Sequence, residues 1–206
     1  MKYLLILMLL TPALQGCNKN VGAATAPAST TTNSSPVNAG FTRYTIEKGK
    51  QFADSTEYLL SIVSVKKMHF LVIFDSSAIY QTDTAENQHD INKLYGFADN
   101  NVYDHHAFSA RFGWNWYKGQ LLLYAYVYNN SVMSFTRLGA IPLGSPADCA
   151  IVVRGPEYLF TLNGVTTSVP RASTTATGAG YKLYPYFGGN EVAPHKINID
   201  IKEIAE

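Results

Sequence analysis

Tyr124, Tyr126 and Tyr128 recur at every second position, with Ala125 and Val127 between them. In an extended strand that spacing lines three phenol rings along one face, because side chains alternate sides with a period of two. A row of rings can stack on sugar rings, and a neighbouring arginine and asparagine add directional hydrogen bonds to hydroxyls or a carboxylate. Arg111 and Asn115 are placed to do this in the preceding run, Ser109 to Trp116. The plainer alternative is that the rings only cover an outer sheet face, with Arg111 stacked on Tyr126 as a cation–π pair. His105 and His106 precede the same run and follow Asp104. Either histidine can serve as a general base, with Tyr124 or Tyr126 as the acid and Arg111 beside them. Adjacent histidines in a strand would point opposite ways, so one metal shared by both is not expected, and solvent-exposed loop histidines are the alternative. Tyr184 and Tyr186, two apart, are expected to share a face and extend the aromatic row, unless they are ordinary sheet packing.

Other chemistry is weaker. Residues 83–104 are rich in oxygen donors, among them Asp83, Asp90, Asp99 and Asp104. Such a segment suits calcium, but it has no EF-hand spacing, and a hydrated loop explains it equally well. Cys149 alternates onto the face of Ile151 and Val153 and reads as a buried, inert thiol.

The elements that must position the tyrosines can be set by register. A turn at Lys118-Gly119 pairs Tyr117 with Gln120 and then Trp116 with Leu121, Trp114 with Leu123, Phe112 with Ala125 and Ala110 with Val127 on one face. That face is a core. The other face pairs Asn115 with Leu122, Gly113 with Tyr124, Arg111 with Tyr126 and Ser109 with Tyr128. Gly113 opposite Tyr124 leaves a gap through which a ligand can approach the backbone. Asn163-Gly164 marks a second two-residue hairpin, since both residues tolerate positive φ. It pairs Leu162 with Val165, Thr161 with Thr166 and Phe160 with Thr167.

Period-two segments also cover 41–46, 58–65, 68–74, 147–153, 181–187 and 196–201, and no stretch has a convincing helical period. In the last of these, Ile197, Ile199 and Ile201 alternate with Asn198, Asp200 and Lys202, so one face meets water. Aromatic residues make up 13% of the chain, with 14 tyrosines, which suits pleated surfaces. Many strands joined by turns imply an all-β sandwich of two antiparallel sheets. The 16 basic and 15 acidic residues nearly cancel, giving no electrostatic reason to expect nucleic acid as a partner. Nothing in the pattern sets an oligomeric state.

The N-terminus has a different character. Lys2, the apolar run Tyr3 to Leu10 and the break Thr11-Pro12-Ala13 have the anatomy of an export signal, too short to span a bilayer. Leu14-Gln15-Gly16-Cys17 resembles the lipobox of bacterial lipoproteins. That resemblance implies lipidation of Cys17 as the mature N-terminus and attachment to a membrane through that anchor alone. Asn18 after the cysteine implies the outer membrane, within the bacterial cell envelope. Acyl chains at roughly 0.8 kcal/mol per buried methylene make such attachment effectively permanent. Residues 18–40 are mostly Ala, Thr, Ser, Pro and Asn and read as a disordered tether. Residues 41–206 form the folded domain, and with Cys17 lipidated no intrachain disulfide can form.

Ser109-Ala110-Arg111-Phe112-Gly113-Trp114, then Leu123 to Tyr128, then Tyr158 to Gly164, resemble the concanavalin A-like group of jelly rolls, which includes laminin G-like domains and many secreted glycan-active proteins. The resemblance implies that the first and last strands pair and that a concave sheet holds sugar. The Glu-x-Asp-x-x-Glu motif of the retaining glucanases in that group is absent. The arginine-rich, Gln-Ile-His and Tyr-Phe-Lys motifs of its alginate lyases are absent too, Gln88-His89-Asp90 being only a superficial echo. The sequence therefore points first to a glycan-binding surface lipoprotein without catalysis or cofactor. A polysaccharide lyase or hydrolase of the same fold comes second, and a structural or adhesion module that binds protein third.

Overall fold

The computed structural model describes residues 39–54, 56 and 59–205. The leader 1–17 with Cys17, and the tether up to residue 38, lie outside the described residues. Among the described residues, twelve strands form two antiparallel sheets of six. The first sheet has the order β1 (Thr42–Ile46), β12 (Ile197–Glu203), β3 (Lys67–Phe74), β8 (Ala147–Arg154), β9 (Glu157–Leu162), β10 (Val165–Pro170). The second has β2 (Ile62–Val65), β11 (Gly178–Leu183), β4 (Asn92–Ala98), β5 (Phe108–Tyr117), β6 (Gln120–Asn129), β7 (Val132–Ile141). The fold is a jelly-roll sandwich, and β1 pairs with β12 as expected. Between the sheets lie Phe70, Phe74 and Ile199 from one side and Phe97, Phe112, Trp114 and Leu123 from the other.

Both expected hairpins form with the expected registers. Lys118 and Gly119, like Asn163 and Gly164, have positive φ, and this turn geometry follows the natural twist of the flanking strands. Trp114 is fully buried, so the β5–β6 hairpin faces the way its pairing implied.

Three departures have physical causes. β4 runs through the segment read as a hydrated loop. A register shift between Lys93 and Gly96 turns both Leu94 and Tyr95 into the core, which destroys the alternation that would have marked a strand. β7 is an edge strand, exposed along most of its length, so it lacks the buried face that writes a period-two pattern. The segment read as a strand over 181–187 is instead β11 at Gly178–Leu183, ending before Pro185. Within it, Gly180 lies so close to β4 that a Cβ there would sit 2.3 Å from the Ala98 carbonyl oxygen. Of the strand expected over 58–65, residue 58 lies outside the described residues, 59–61 are not strand, and β2 covers Ile62–Val65.

Candidate functional site

β4, β5 and β6 are central in the second sheet, so their outward side chains share one floor. Arg111 on β5 is directly opposite Tyr126 on β6, and Lys93 on β4 is opposite Gly113. Above this floor, the loop carrying His105 and His106, the chain from Tyr181 to Gly189, and Phe52 with Leu59 enclose a partly open cavity of about 460 Å³. Arg111, Tyr126, Tyr128, His105, His106, Tyr184 and Tyr186 all border it.

The row of three phenols is divided. Tyr124 donates a hydrogen bond to the Asn115 side-chain oxygen, and the Asn115 amide donates to the His89 carbonyl. Tyr124 and Asn115 therefore sit beneath the Ala85–His89 turn and the residues after it, and neither borders the cavity. The gap expected at Gly113 is filled. A Cβ on Gly113 would lie 2.4 Å from Ile91 Cγ2, so the missing side chain makes room for Ile91 and not for a ligand. Ile91, Leu122, Tyr124 and Tyr126 form a small second apolar cluster on this face. The outer face is thus half sealed, contrary to the expected open platform.

Tyr184 and Tyr186 do not share a face. The Tyr184 ring packs against Tyr44 and Tyr95 at 5.9 Å from each, while Tyr186 meets Phe52 edge-on at 4.9 Å beside the cavity. The constraint is Pro185, which breaks the strand so that the alternation rule no longer applies. The aromatic wall that remains consists of Tyr126, Tyr128, Tyr186 and Phe52. Tyr128 and Tyr186 are half-buried and Phe52 is 42% exposed, so these rings have faces or edges available to a ligand.

Three cations border the cavity; Lys182 pairs with Glu203 at 2.7 Å, whereas Arg111 and Lys93 have no carboxylate partner among the described residues. Arg111 is buried, donates through Nη2 to the Tyr184 carbonyl at 2.7 Å, and its Nε–H has no acceptor. Burial lowers its pKa to about 10, partly countered by the phenols of Tyr126, Tyr181, Tyr186 and Tyr128. The cation over the Tyr126 ring is Lys93, with its amine 5.3 Å from the ring centre, and not Arg111 as expected. Lys93 also donates to the Gly188 carbonyl at 2.7 Å and lies 6.0 Å from the Tyr186 ring. Burial, followed by repulsion from Arg111, brings its pKa down to about 8. Sequence reasoning missed Lys93 because it stands in the misread acidic segment, and missed Phe52 because it makes only an isolated bridge to Tyr186.

The two histidines are in a turn before β5, as their position implied, and their rings lie 4.2 Å apart, tilted by 35°. Tyr181 donates its only hydroxyl proton to the Tyr103 carbonyl at 2.8 Å. The His105 Nδ1 contact with that hydroxyl, at 3.0 Å, is therefore one in which Nδ1–H donates. In the neutral ring Nε2 then keeps its lone pair. Burial and the charge of Arg111 lower the His105 pKa to about 4, which keeps the ring neutral near pH 7. His106 is exposed, held by Asp104, and meets Tyr128 edge-on at 5.1 Å.

The four aspartates considered for calcium are spread apart. Asp99 is fully buried against Arg171, Asp104 holds His106, Asp90 packs beside Gly189, and Asp83 is exposed, its backbone amide donating to Glu191. Among the described residues, no group of three or more His, Cys, Asp or Glu side chains is arranged to hold a metal ion. Cys149 is fully buried, and burial pushes its thiol pKa well up, as an inert core residue requires.

No protein-family model matches the chain, and no curated protein does. Solved structures share its architecture. The alginate lyase AlyC3 aligns over 80% of this chain and 74% of its own, with a TM-score of 0.52 at 10% identity. The catalytic domain of an endo-1,3-beta-glucanase (laminarinase) from Thermotoga petrophila RKU-1 aligns over 81% of this chain and 76% of its own, with a TM-score of 0.51 at 10% identity. At such identities the likeness is one of fold.

Proposed function

We propose that the protein binds a glycan in the cavity over β4, β5 and β6. One observation carries this reading: a roughly 460 Å³ hollow in the outer face of the second sheet, walled by Tyr126, Tyr128, Tyr186 and Phe52 and floored by Arg111 and Lys93. Aromatic walls with a few placed polar groups are what a sugar-sized ligand needs. Proteins named for lyase action on alginate and glucanase action on 1,3-beta-glucan share the fold, which supports a glycan over other small ligands. A glycan array tests it. Tyr128→Ala and Tyr186→Ala should each abolish binding while moving the melting temperature by only a few degrees, because both rings are half-exposed. Retained binding in both variants would contradict the site.

A specific observation favours a second reading, in which the bound glycan is also cleaved by elimination. The unprotonated Nε2 of His105 is a base, and the phenols of Tyr126 and Tyr128 are on the same cavity. The base would take the ring proton α to a carboxylate as the glycosidic C–O bond breaks. A tyrosine would protonate the leaving oxygen, and a carbon–carbon double bond would form in the ring. Paired-carboxylate hydrolysis has less support, since the cavity has no Asp or Glu among its described lining residues. An ultraviolet-absorbing unsaturated product that disappears in His105→Gln would establish elimination. Binding with no product would leave the non-catalytic reading.

In the same proposal, the domain is held at the bacterial outer membrane by lipid on Cys17. Cys17→Ala should move the protein from the membrane fraction to the soluble one, and an unchanged distribution would contradict the anchor.

A further inference from the structure

The fold pairs other cations that it encloses. Arg43 meets Asp200 at 2.8 Å, Arg171 meets Asp99 at 2.8 Å, and Lys182 meets Glu203 at 2.7 Å. Arg111 and Lys93 differ. Neither is within 4.0 Å of a carboxylate among the described residues, and each has a backbone carbonyl as its polar partner, Tyr184 for Arg111 and Gly188 for Lys93. The opposing charge that acts on Lys93 is Asp90, which does not reach it as an ion pair. Two positive groups that repel each other are thus held at one cavity, one of them with a buried Nε–H that has no acceptor. Burying a charge without its counter-charge is costly unless something supplies the counter-charge. A structural role would have been better served by an apolar residue or an ion pair.

We infer that the missing counter-charge arrives with the ligand: the cavity takes an acidic glycan, seating a carboxylate or sulfate against the Arg111 guanidinium and the Lys93 amine while the sugar ring lies against Tyr128 and Tyr186. This inference rests on the glycan reading above and narrows it to a substrate class. Guanidinium supplies planar, directional recognition, and the lysine adds a mobile point charge. Lys93 already lies over the Tyr126 ring, so an anion reaching it is brought to the aromatic wall.

The test uses tetragalacturonate and tetramannuronate, the carboxyl-reduced neutral counterpart of each, and a sulfated oligosaccharide of similar length, titrated against the purified protein by calorimetry. The expected result is at least tenfold tighter binding of an acidic member than of its neutral counterpart, weakening with added salt. Tightest binding of the sulfated member would assign sulfate as the anion, and of a uronate would assign carboxylate. Lys93→Gln should remove at least tenfold of the acidic affinity and so narrow its lead over the neutral counterpart, while Lys93→Arg should retain most of it. Arg111→Gln should behave like Lys93→Gln, and circular dichroism shows whether it has folded. If neutral and acidic members bind alike and Lys93→Gln changes neither, the inference fails while the glycan reading stands. If no member of the panel or of a glycan array binds, both fail.

Discussion

Two buried arginines in this domain have opposite surroundings. Arg171 sends Nε and Nη2 to the Asp99 carboxylate at 2.8 and 3.2 Å and donates further to Gly155, Ser173, Thr175 and Thr177. Burial alone would raise the Asp99 pKa, but the bonds from Arg171 and Tyr158 outweigh it and hold the carboxyl below its ordinary range. Arg111 has one carbonyl and, among the described residues, no carboxylate. The chain therefore completes an arginine's partners where the task is to pin a loop, and leaves them incomplete at the cavity. The unfinished site is the one to suspect of binding.

That contrast is broken or sharpened first by stability. Arg171→Ala should cost on the order of 3–5 kcal/mol, because it strands a buried carboxylate. Arg111→Gln should shift the melting temperature by no more than a few degrees, since it removes a charge that nothing neutralises. A large loss in Arg111→Gln would mean that the guanidinium is structural. Within the β5–β6 hairpin, Trp114→Ala should likewise cost about 3–5 kcal/mol by leaving a core cavity, whereas Tyr128→Ala on the outer face should be nearly neutral. Tyr124→Phe should cost about 1 kcal/mol through its lost bond to Asn115 and leave glycan binding intact, separating the sealed half of the face from the open half.

The smallest effects are those of pH. His105 is faced by Arg111, His106 and Lys93, which disfavour its charge, and by Asp104, which favours it. Its folded pKa of about 4 is below the ordinary 6.5, so the unfolded chain binds the proton more readily. Stability should fall as pH drops from about 6.5 to 4, and His105→Gln should flatten that part of the profile. Lys93 works in the alkaline range. Facing Arg111, Asp90 and the rings of Tyr126 and Tyr186, it loses its proton near pH 8 in the free protein, so acidic-glycan affinity should decline above that pH. Lys93→Gln should remove this step from the binding profile.

How much of this the sequence made legible depends on what kind of information each feature uses. The hairpins at Lys118-Gly119 and Asn163-Gly164 were readable because turn chemistry and alternation are local. The pairing of the first and last strands came from family resemblance, and the register Thr42 with Ile201 agrees with it. β4 was hidden by its bulge, and with it Lys93. Tyr126, Tyr128, Arg111 and His105 do meet at one cavity, as their positions suggested. That Tyr124 and Asn115 would be sealed was not legible, because Ile91, which fills the Gly113 gap, belongs to a segment whose polar composition resembles an open loop. Long-range packing of this kind leaves no periodic trace.

The most direct test of the central claim is a crystal structure with the tightest-binding oligosaccharide of the uronate and sulfate panel. The acidic group is expected within 4 Å of both Arg111 and Lys93, with a sugar ring against Tyr128 or Tyr186. An oligosaccharide seated elsewhere, or one whose acidic group turns to solvent while the two cations stay as they are, would contradict it.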